Sequence, residues 1–263
     1  MAEQGNDGRV EGGRVEGGRF EGKVALITGA GSGIGKAVAL LLVHEGARVF
    51  GVDINAAALD GVAAEAGERF TAHVADLSDP QACKDVVAAC LAAEGGLDVL
   101  GNIAGIAASS HLEDVTVEQY RTMMAINADA CFFLCQAAIP ALLERSGNIV
   151  NLASNAGLMG QAYTVAYCMS KGAVVQLTKA LAMEYVKTDL RVNAIAPAAV
   201  NTPLLHNFQV AEGVDLDLMR PYMGFRGMTE AQELARLFAF VASGEVPSMH
   251  GAVLSVDNAI TAG

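Results

Sequence analysis

Three side chains in the middle of this 263-residue chain have types and spacing that could move a proton: Ser154, ending the run NIVNLAS, and Tyr167 and Lys171 in YCMSK. The four-residue step puts Tyr167 and Lys171 on one face of a helix. An ammonium beside a phenol favours the phenolate, which lowers the Tyr pKa toward working pH and makes the phenol usable as a general base. The Ser154 hydroxyl can then hold the substrate oxygen. A lone Tyr-x-x-x-Lys is a frequent accident, so its weight depends on what accompanies it.

A second cluster, TGAGSGIGKAVALLL over 28–42, follows one apolar run and opens a long apolar stretch. Gly29, Gly31, Gly33 and Gly35, with Ser32 and Ile34 between them, let the backbone turn sharply and approach a ligand. The helix behind them offers unpaired N–H groups at its positive end. That combination is a pyrophosphate site. Asp53 lies 18 residues beyond Gly35 at the end of the next apolar run. A carboxylate there accepts hydrogen bonds from adenosine ribose hydroxyls and repels a 2′-phosphate. No Lys or Arg replaces Ser32 or closely follows Asp53, so the expected cofactor is NAD rather than NADP.

These groups need a scaffold, and the apolar pattern supplies one. Strands are expected at KVALIT (23–28), ARVFGV (47–52), RFTAHV (69–74), LDVLGN (97–102), NIVNLAS (148–154), RVNAIA (191–196) and AVLSV (252–256). Helical stretches separate them: one from the glycine turn to about Glu45, INAAALDGVAAEA, and others over about 80–94, 117–143 and 164–187. Alternating strands and helices imply an α/β domain with a parallel, roughly seven-stranded sheet and helices on both faces. Residues 198–228 break the rhythm with Pro203, Pro221 and scattered apolar side chains. A substrate lid is the functional reading of that segment, and an ordinary helical connection is the other.

Bulk properties exclude several classes. An apolar fraction of 52% with no Trp fits one well-buried core, and a net charge of −12 without a basic cluster argues against a nucleic-acid partner. No apolar run reaches the ~18 residues of a membrane span, and a polar start lacks the form of a signal peptide, so a soluble cytoplasmic protein without a membrane partner is expected. Five cysteines, Cys83, Cys90, Cys131, Cys135 and Cys168, lack Cys-x-x-Cys spacing and a companion His, so reduced thiols and no metal site are expected.

Together the pieces resemble the short-chain dehydrogenase/reductase family from Phe20 onward. Its Thr-Gly-x-x-x-Gly-x-Gly signature is matched by Thr28, Gly29, Gly33 and Gly35, and its adenine-contacting Asp-Leu by Asp76 and Leu77. Asn127 in MMAINADA, Ser154, Tyr167 and Lys171 follow in family order. The resemblance implies a Rossmann-like three-layer sandwich in which Tyr167 exchanges the alcohol proton while hydride passes to or from the nicotinamide. It implies that Ser154 polarises the substrate oxygen, that Lys171 also holds the nicotinamide ribose, and that Asn127 fixes a relay water, though a buried amide satisfying backbone groups is an equal reading of Asn127. By the same resemblance Asn102, Ala104, Gly105, Pro197, Val200 and Thr202 contact the cofactor. Two departures stand out. Asn-Asn-Ala-Gly reads Asn102-Ile103-Ala104-Gly105, which predicts weaker local hydrogen bonding, and the Gly after Pro197 is Ala198, which requires a backbone without positive φ.

Substrate contacts are expected from Asn155, Met159, Gln161, Leu204, Leu205, Phe208, Met219 and Tyr222, a mostly apolar set suited to a hydrophobic secondary alcohol or its ketone. Rival readings are an NAD-binding sensor or scaffold without turnover, and a family member acting on a cyclic diol. The resemblance implies a homodimer or homotetramer. Near the start, GRVEGGRVEGGRFEGK (8–23) repeats one five-residue unit, and only its third copy runs into the first strand. Residues 1–17 are therefore expected to form a flexible glycine-rich extension, and 18–263 the catalytic domain with Phe20 as its first anchor.

Overall fold

Val24–Thr28 is five consecutive buried side chains, and a strand buried on both faces belongs inside a sheet covered on two sides. The computed structural model describes residues 18–224 and 226–262; the expected extension over 1–17 lies outside them. Its strands are β1 (Val24–Thr28), β2 (Arg48–Asp53), β3 (Phe70–Val74), β4 (Val99–Asn102), β5 (Asn148–Leu152), β6 (Arg191–Pro197), β7 (Val200–Asn201), β8 (Thr229–Glu230) and β9 (Val253–Val256). Seven of them form one sheet in the order β3-β2-β1-β4-β5-β6-β9, parallel throughout. All seven expected strands are present within a residue or two of their expected bounds.

The helices are α1 (Gly33–His44), α2 (Ala56–Ala66), α3 (Pro80–Glu94), α4 (Val117–Met124), α5 (Ala130–Glu144), α6 (Val165–Glu184), α7 (Pro203–His206), α8 (Leu216–Met223) and α9 (Ala231–Ser243). Val38 and Leu42 of α1, Leu59 of α2 and Phe238 of α9 pack on one face of the sheet. On the other face lie Val86 of α3, Leu134 and Leu142 of α5 and Val174 of α6. This is the Rossmann-like sandwich. Phe20 is 1% exposed, and its N–H donates to Glu45 O at 2.9 Å, so the third repeat copy joins the fold.

Three features depart from the sequence reading. Helix α9 was not separated from its surroundings, although Glu230 and Glu233 form a capping box that marks its start. The 198–228 stretch, expected to lack periodicity, contains β7 and the short helices α7 and α8. The single helix expected over 117–143 is interrupted by a π-helical turn, Ala125–Asp129. From Val117 to Glu144 this rod is long and apolar enough to cross a membrane, yet half of its most apolar window is buried against the rest of the fold. All five cysteines are free. Burial pushes the thiols of Cys83 to about 11 and Cys90 to about 12, which keeps them protonated and unreactive.

The end of the sheet opposite the glycine turn is held by one carboxylate. Asp98, 5% exposed, accepts from Val24 N at 3.0 Å, Lys23 Nζ at 3.0 Å and Arg145 Nη1 at 3.1 Å. Its own backbone bonds Val24 O at 2.9 Å and Asn148 N at 2.8 Å, so β1, β4 and β5 start in register from this point. Asp98→Ala leaves a buried N–H and two cations without their partner, at a cost of about 2 kcal/mol. A fall in Tm of roughly 4–8 °C is expected, and Asp98→Asn should recover part of it; thermal melts of both variants test the assignment.

Candidate active site

The strand order reverses between β1 and β4, and a crevice opens beyond the carboxyl ends of the strands at such a point. A cleft of about 490 Å³ lies there. Its floor is the glycine turn between β1 and α1. A Cβ on Gly35 would come within 2.1 Å of Gly29 O, so that position has no room for a side chain, and one on Gly31 would press within 2.9 Å of Asp53 Oδ2. Ser32 caps α1 without a side-chain bond to its first N–H groups, which leaves those donors for a ligand.

Asp53, at the end of β2, accepts from Gly31 N through Oδ2 and from Asn55 N through Oδ1, both at 3.0 Å. Its carboxylate is thus fixed beside the turn. Of the expected cofactor contacts, Gly29, Ser32, Gly33, Ile34, Gly35, Asp53, Asp76, Leu77, Ala104, Gly105 and Thr202 line the cleft. Gly31 sits beside them against Asp53. Asp76 is held in its loop by Ser78 N at 2.9 Å, a bond that lowers its pKa.

Asn102 departs from its expected place. Its Nδ2 donates to Asn151 Oδ1 at 2.8 Å and Cys135 Sγ at 3.3 Å, so the side chain points into the core rather than the cleft. Pro197 and Val200 are buried and are not among the cleft-lining residues. At Ile103 no side-chain amide is available, and the backbone carries the local bonding. Thr28 Oγ1 accepts from both Ile103 N at 2.9 Å and Ala104 N at 3.0 Å, and the Ile103 side chain joins the core. Ala198 has no positive φ, so alanine fits there. Ile54, Ala75, Ile106, Ile126, Leu152, Pro203 and Asn207 also line the cleft. The only sequence signal for them is position just beyond a strand or within a glycine-rich neighbourhood.

The groups expected to handle the proton lie just beyond β5, in the π turn and in α6. Asn127 lies in the π turn, 2% exposed. Its Oδ1 accepts from Ile106 N at 2.8 Å, and its Nδ2 donates to Ile106 O at 2.9 Å and Ser170 Oγ at 3.0 Å. Ser170 Oγ in turn donates to Tyr167 O at 2.8 Å. Asn127 therefore clamps the loop after β4 to the helix that carries Tyr167. Lys171, 4% exposed, donates from Nζ to Leu152 O at 2.8 Å and stands 6.0 Å from the centre of the Tyr167 ring. Burial lowers its pKa to about 8.

Tyr167 behaves differently from the sequence expectation. Burial raises its pKa, and the opposing influence comes from the Ser154 hydroxyl rather than from Lys171. The ammonium is engaged by the Leu152 carbonyl and stands over the ring. Ser154 Oγ accepts from Ala156 N at 3.1 Å and donates to Asn155 Oδ1 at 3.2 Å.

Among the expected substrate contacts, Leu204 lines the cleft, while Asn155 and Gln161 stand beside Ser154, joined by a 3.1 Å bond from Gln161 Nε2 to Asn155 Oδ1. Met219 is buried, and Met159, Leu205, Phe208 and Tyr222 are half-buried outside the cleft lining. A strap running from α7 into α8 crosses the loops over 106–111 and 160–163. Ala211 N donates to Ser109 Oγ at 3.3 Å and Asp215 N to Tyr163 Oη at 2.9 Å, while His111 Nε2 bonds Glu212 O at 2.9 Å and Tyr222 Oη donates to Ala162 O at 2.7 Å. Tyr163 is held at φ 62° with its carbonyl on Ser110 N at 2.8 Å, an uncommon conformation for a bulky residue.

Comparison with known proteins agrees with this architecture. The chain is 37% identical over 247 residues to D-threitol dehydrogenase of Mycolicibacterium smegmatis, covering 91% of this chain and 93% of that protein. It is 37% identical over 244 residues to cyclohexanol dehydrogenase of an Acinetobacter strain, covering 91% and 95%. Two solved structures superpose over 92% of this chain and 99% of theirs at 32% identity. One is a 3-ketoacyl-(acyl-carrier-protein) reductase of Brucella melitensis complexed with NADH, with a TM-score of 0.84. The other is a short chain dehydrogenase of Burkholderia cenocepacia in complex with NADP, with a TM-score of 0.83. The family model for the short chain dehydrogenases matches residues 23–213. The glycine-floored cleft, the parallel sheet and these relatives converge: the chain belongs to the short-chain dehydrogenases, oxidoreductases of CH–OH groups that use a nicotinamide cofactor.

Proposed function

We propose that this protein interconverts a hydrophobic secondary alcohol and its ketone with NAD as cofactor and Tyr167 as general acid/base. The observation that carries the reading is the meeting of Ser154, Tyr167 and Lys171 around the ends of β5 and α6, beside a cleft with two acidic residues, Asp53 and Asp76, and no Lys or Arg in its lining. A dinucleotide's pyrophosphate suits the glycine turn at the start of α1, where the Ser32 side chain leaves the first N–H groups uncapped. The Asp53 carboxylate beside that turn favours a ribose 2′-hydroxyl over a 2′-phosphate. When bound, the nicotinamide accepts or returns hydride at the carbinol carbon.

In this reading the protein's own groups manage the oxygen and its proton. Ser154 holds the substrate oxygen, and Tyr167 takes the hydroxyl proton in oxidation or gives it in reduction. Because burial raises the phenol pKa, oxidation gains from alkaline pH. Lys171 steadies the phenolate and, through its bond to Leu152 O, the end of β5. Asn127 fixes the loop that forms one wall. Segment 198–228 closes the substrate side. The exposed Phe132, Val165, Met169 and Met183 of α5 and α6 support assembly as a homodimer or homotetramer through those helices.

Tyr167→Phe should lower kcat by at least about 100-fold with NAD affinity nearly unchanged, because only the proton-transfer group is lost. Steady-state turnover with a panel of secondary alcohols, together with NAD titration, checks this; full activity would refute the assignment. Asp53→Ala is expected to narrow the preference for NAD over NADP by about tenfold or more, read as the ratio of kcat/KM for the two cofactors. An unchanged ratio would remove the role given to that carboxylate. For Lys171 the folded pKa of about 8 lies below the ordinary lysine value of 10.5, so burying the ammonium costs stability most fully below pH 8. Lys171→Met should therefore compare best with the native chain in thermal melts below pH 8 and lose that relative advantage between pH 8 and 10.5. A stability difference flat across that range would contradict it.

A further inference from the structure

Beside the Ser154 hydroxyl the structure places a second polar group that the proton-transfer chemistry does not use. Asn155 is 4% exposed, and its Oδ1 is shared: Ser154 Oγ donates to it at 3.2 Å and Gln161 Nε2 at 3.1 Å. Gln161 Nε2 thus stands two hydrogen-bond lengths from the oxygen proposed to hold the substrate. Only one N–H of the Gln161 carboxamide is engaged in this way. Its second N–H and its Oε1 have no partner among the described residues, and Oε1, which is not among the buried polar atoms left without a bond, stays open to solvent. Gln161 is also held in place. Its carbonyl accepts from Thr164 Oγ1 at 3.2 Å at the start of α6, and the next residue, Ala162, is tied down by Tyr222 Oη at 2.7 Å. A carboxamide with one free donor and one free acceptor, fixed next to the reacting oxygen, is what a neighbouring hydroxyl requires, since a hydroxyl both donates and accepts.

We infer that Gln161, anchored through Asn155 to Ser154, forms a second oxygen site that selects substrates carrying a hydroxyl on the carbon next to the reacting carbinol. This rests on the dehydrogenase reading above and names its substrate class as a vicinal diol. In oxidation the carbinol carbon loses hydride to NAD, its hydroxyl proton passes to Tyr167, and the carbon–oxygen bond becomes the carbonyl of an α-hydroxyketone. The second hydroxyl stays on Gln161 unchanged. Gln161 is thereby a specificity residue, and a site that hydrogen-bonds a substrate hydroxyl discriminates against the analogue that lacks it, because its polar groups are then left without partners.

The test compares cyclohexanol with cis- and trans-1,2-cyclohexanediol, with NAD, in the native full-length protein and in Gln161→Leu. The native protein is expected to show a kcat/KM at least about tenfold higher for one diol isomer than for cyclohexanol, and Gln161→Leu to lower that ratio by about tenfold. A native preference for cyclohexanol, or a diol-to-cyclohexanol ratio that Gln161→Leu leaves unchanged, overturns the inference while the dehydrogenase reading stands. Turnover of neither alcohol class, across a wider panel and with either NAD or NADP, overturns both. The native comparison decides the matter alone if the variant does not fold.

Discussion

Every strand of a parallel sheet runs in the same direction, so all seven strand ends point to one side, and the helices returning from them must cross one face or the other. Between β1 and β4 the order reverses, and the helices on either side depart to opposite faces. Backbone at that point is left uncovered. The glycine turn, Asp53, the Thr28-held loop after β4 and the end of β5 are brought together by this reversal alone, although they are spread over more than a hundred residues of sequence.

Around this crevice the protein accepts unfavourable burial to keep its groups in place. Lys171 is almost wholly enclosed, with its ammonium on a backbone carbonyl, and burial displaces its pKa and that of Tyr167 in opposite directions, each toward the neutral form. The π turn at Asn127 departs from the regular helix to either side, and the widened backbone there delivers a carboxamide that serves both the loop after β4 and Ser170 of α6. At the opposite end of the strands Asp98 ties three strands and two cations together, away from the cleft.

The scaffold was readable in the sequence because burial on both faces writes strands as unbroken apolar runs, and because the glycine turn has no other economical use at the end of such a run. Ser154, Tyr167 and Lys171 were readable for a similar reason, as spacing on a helix and position on a strand are local. What was not readable depended on distant partners. Asn102 turns into the core because Asn151 and Cys135 wait there. The backbone N–H groups of Ile103 and Ala104 are held by Thr28, 75 and 76 residues away. The aperiodic segment before helix α9 masks its start, and the Tyr167 pKa runs against expectation because burial penalises the phenolate.

The strap over the substrate side carries one more consequence. Of its four tethers, three use its own backbone, at Ala211 N, Glu212 O and Asp215 N, while the side chains that grip it, Ser109, His111 and Tyr163, belong to the stationary loops. The strap's position is therefore encoded by its neighbours. The side chains at 211 and 212 take no part in these tethers, so they can change without releasing the strap, whereas Asp215 also caps α8 through its carboxylate and is bound to its place twice over.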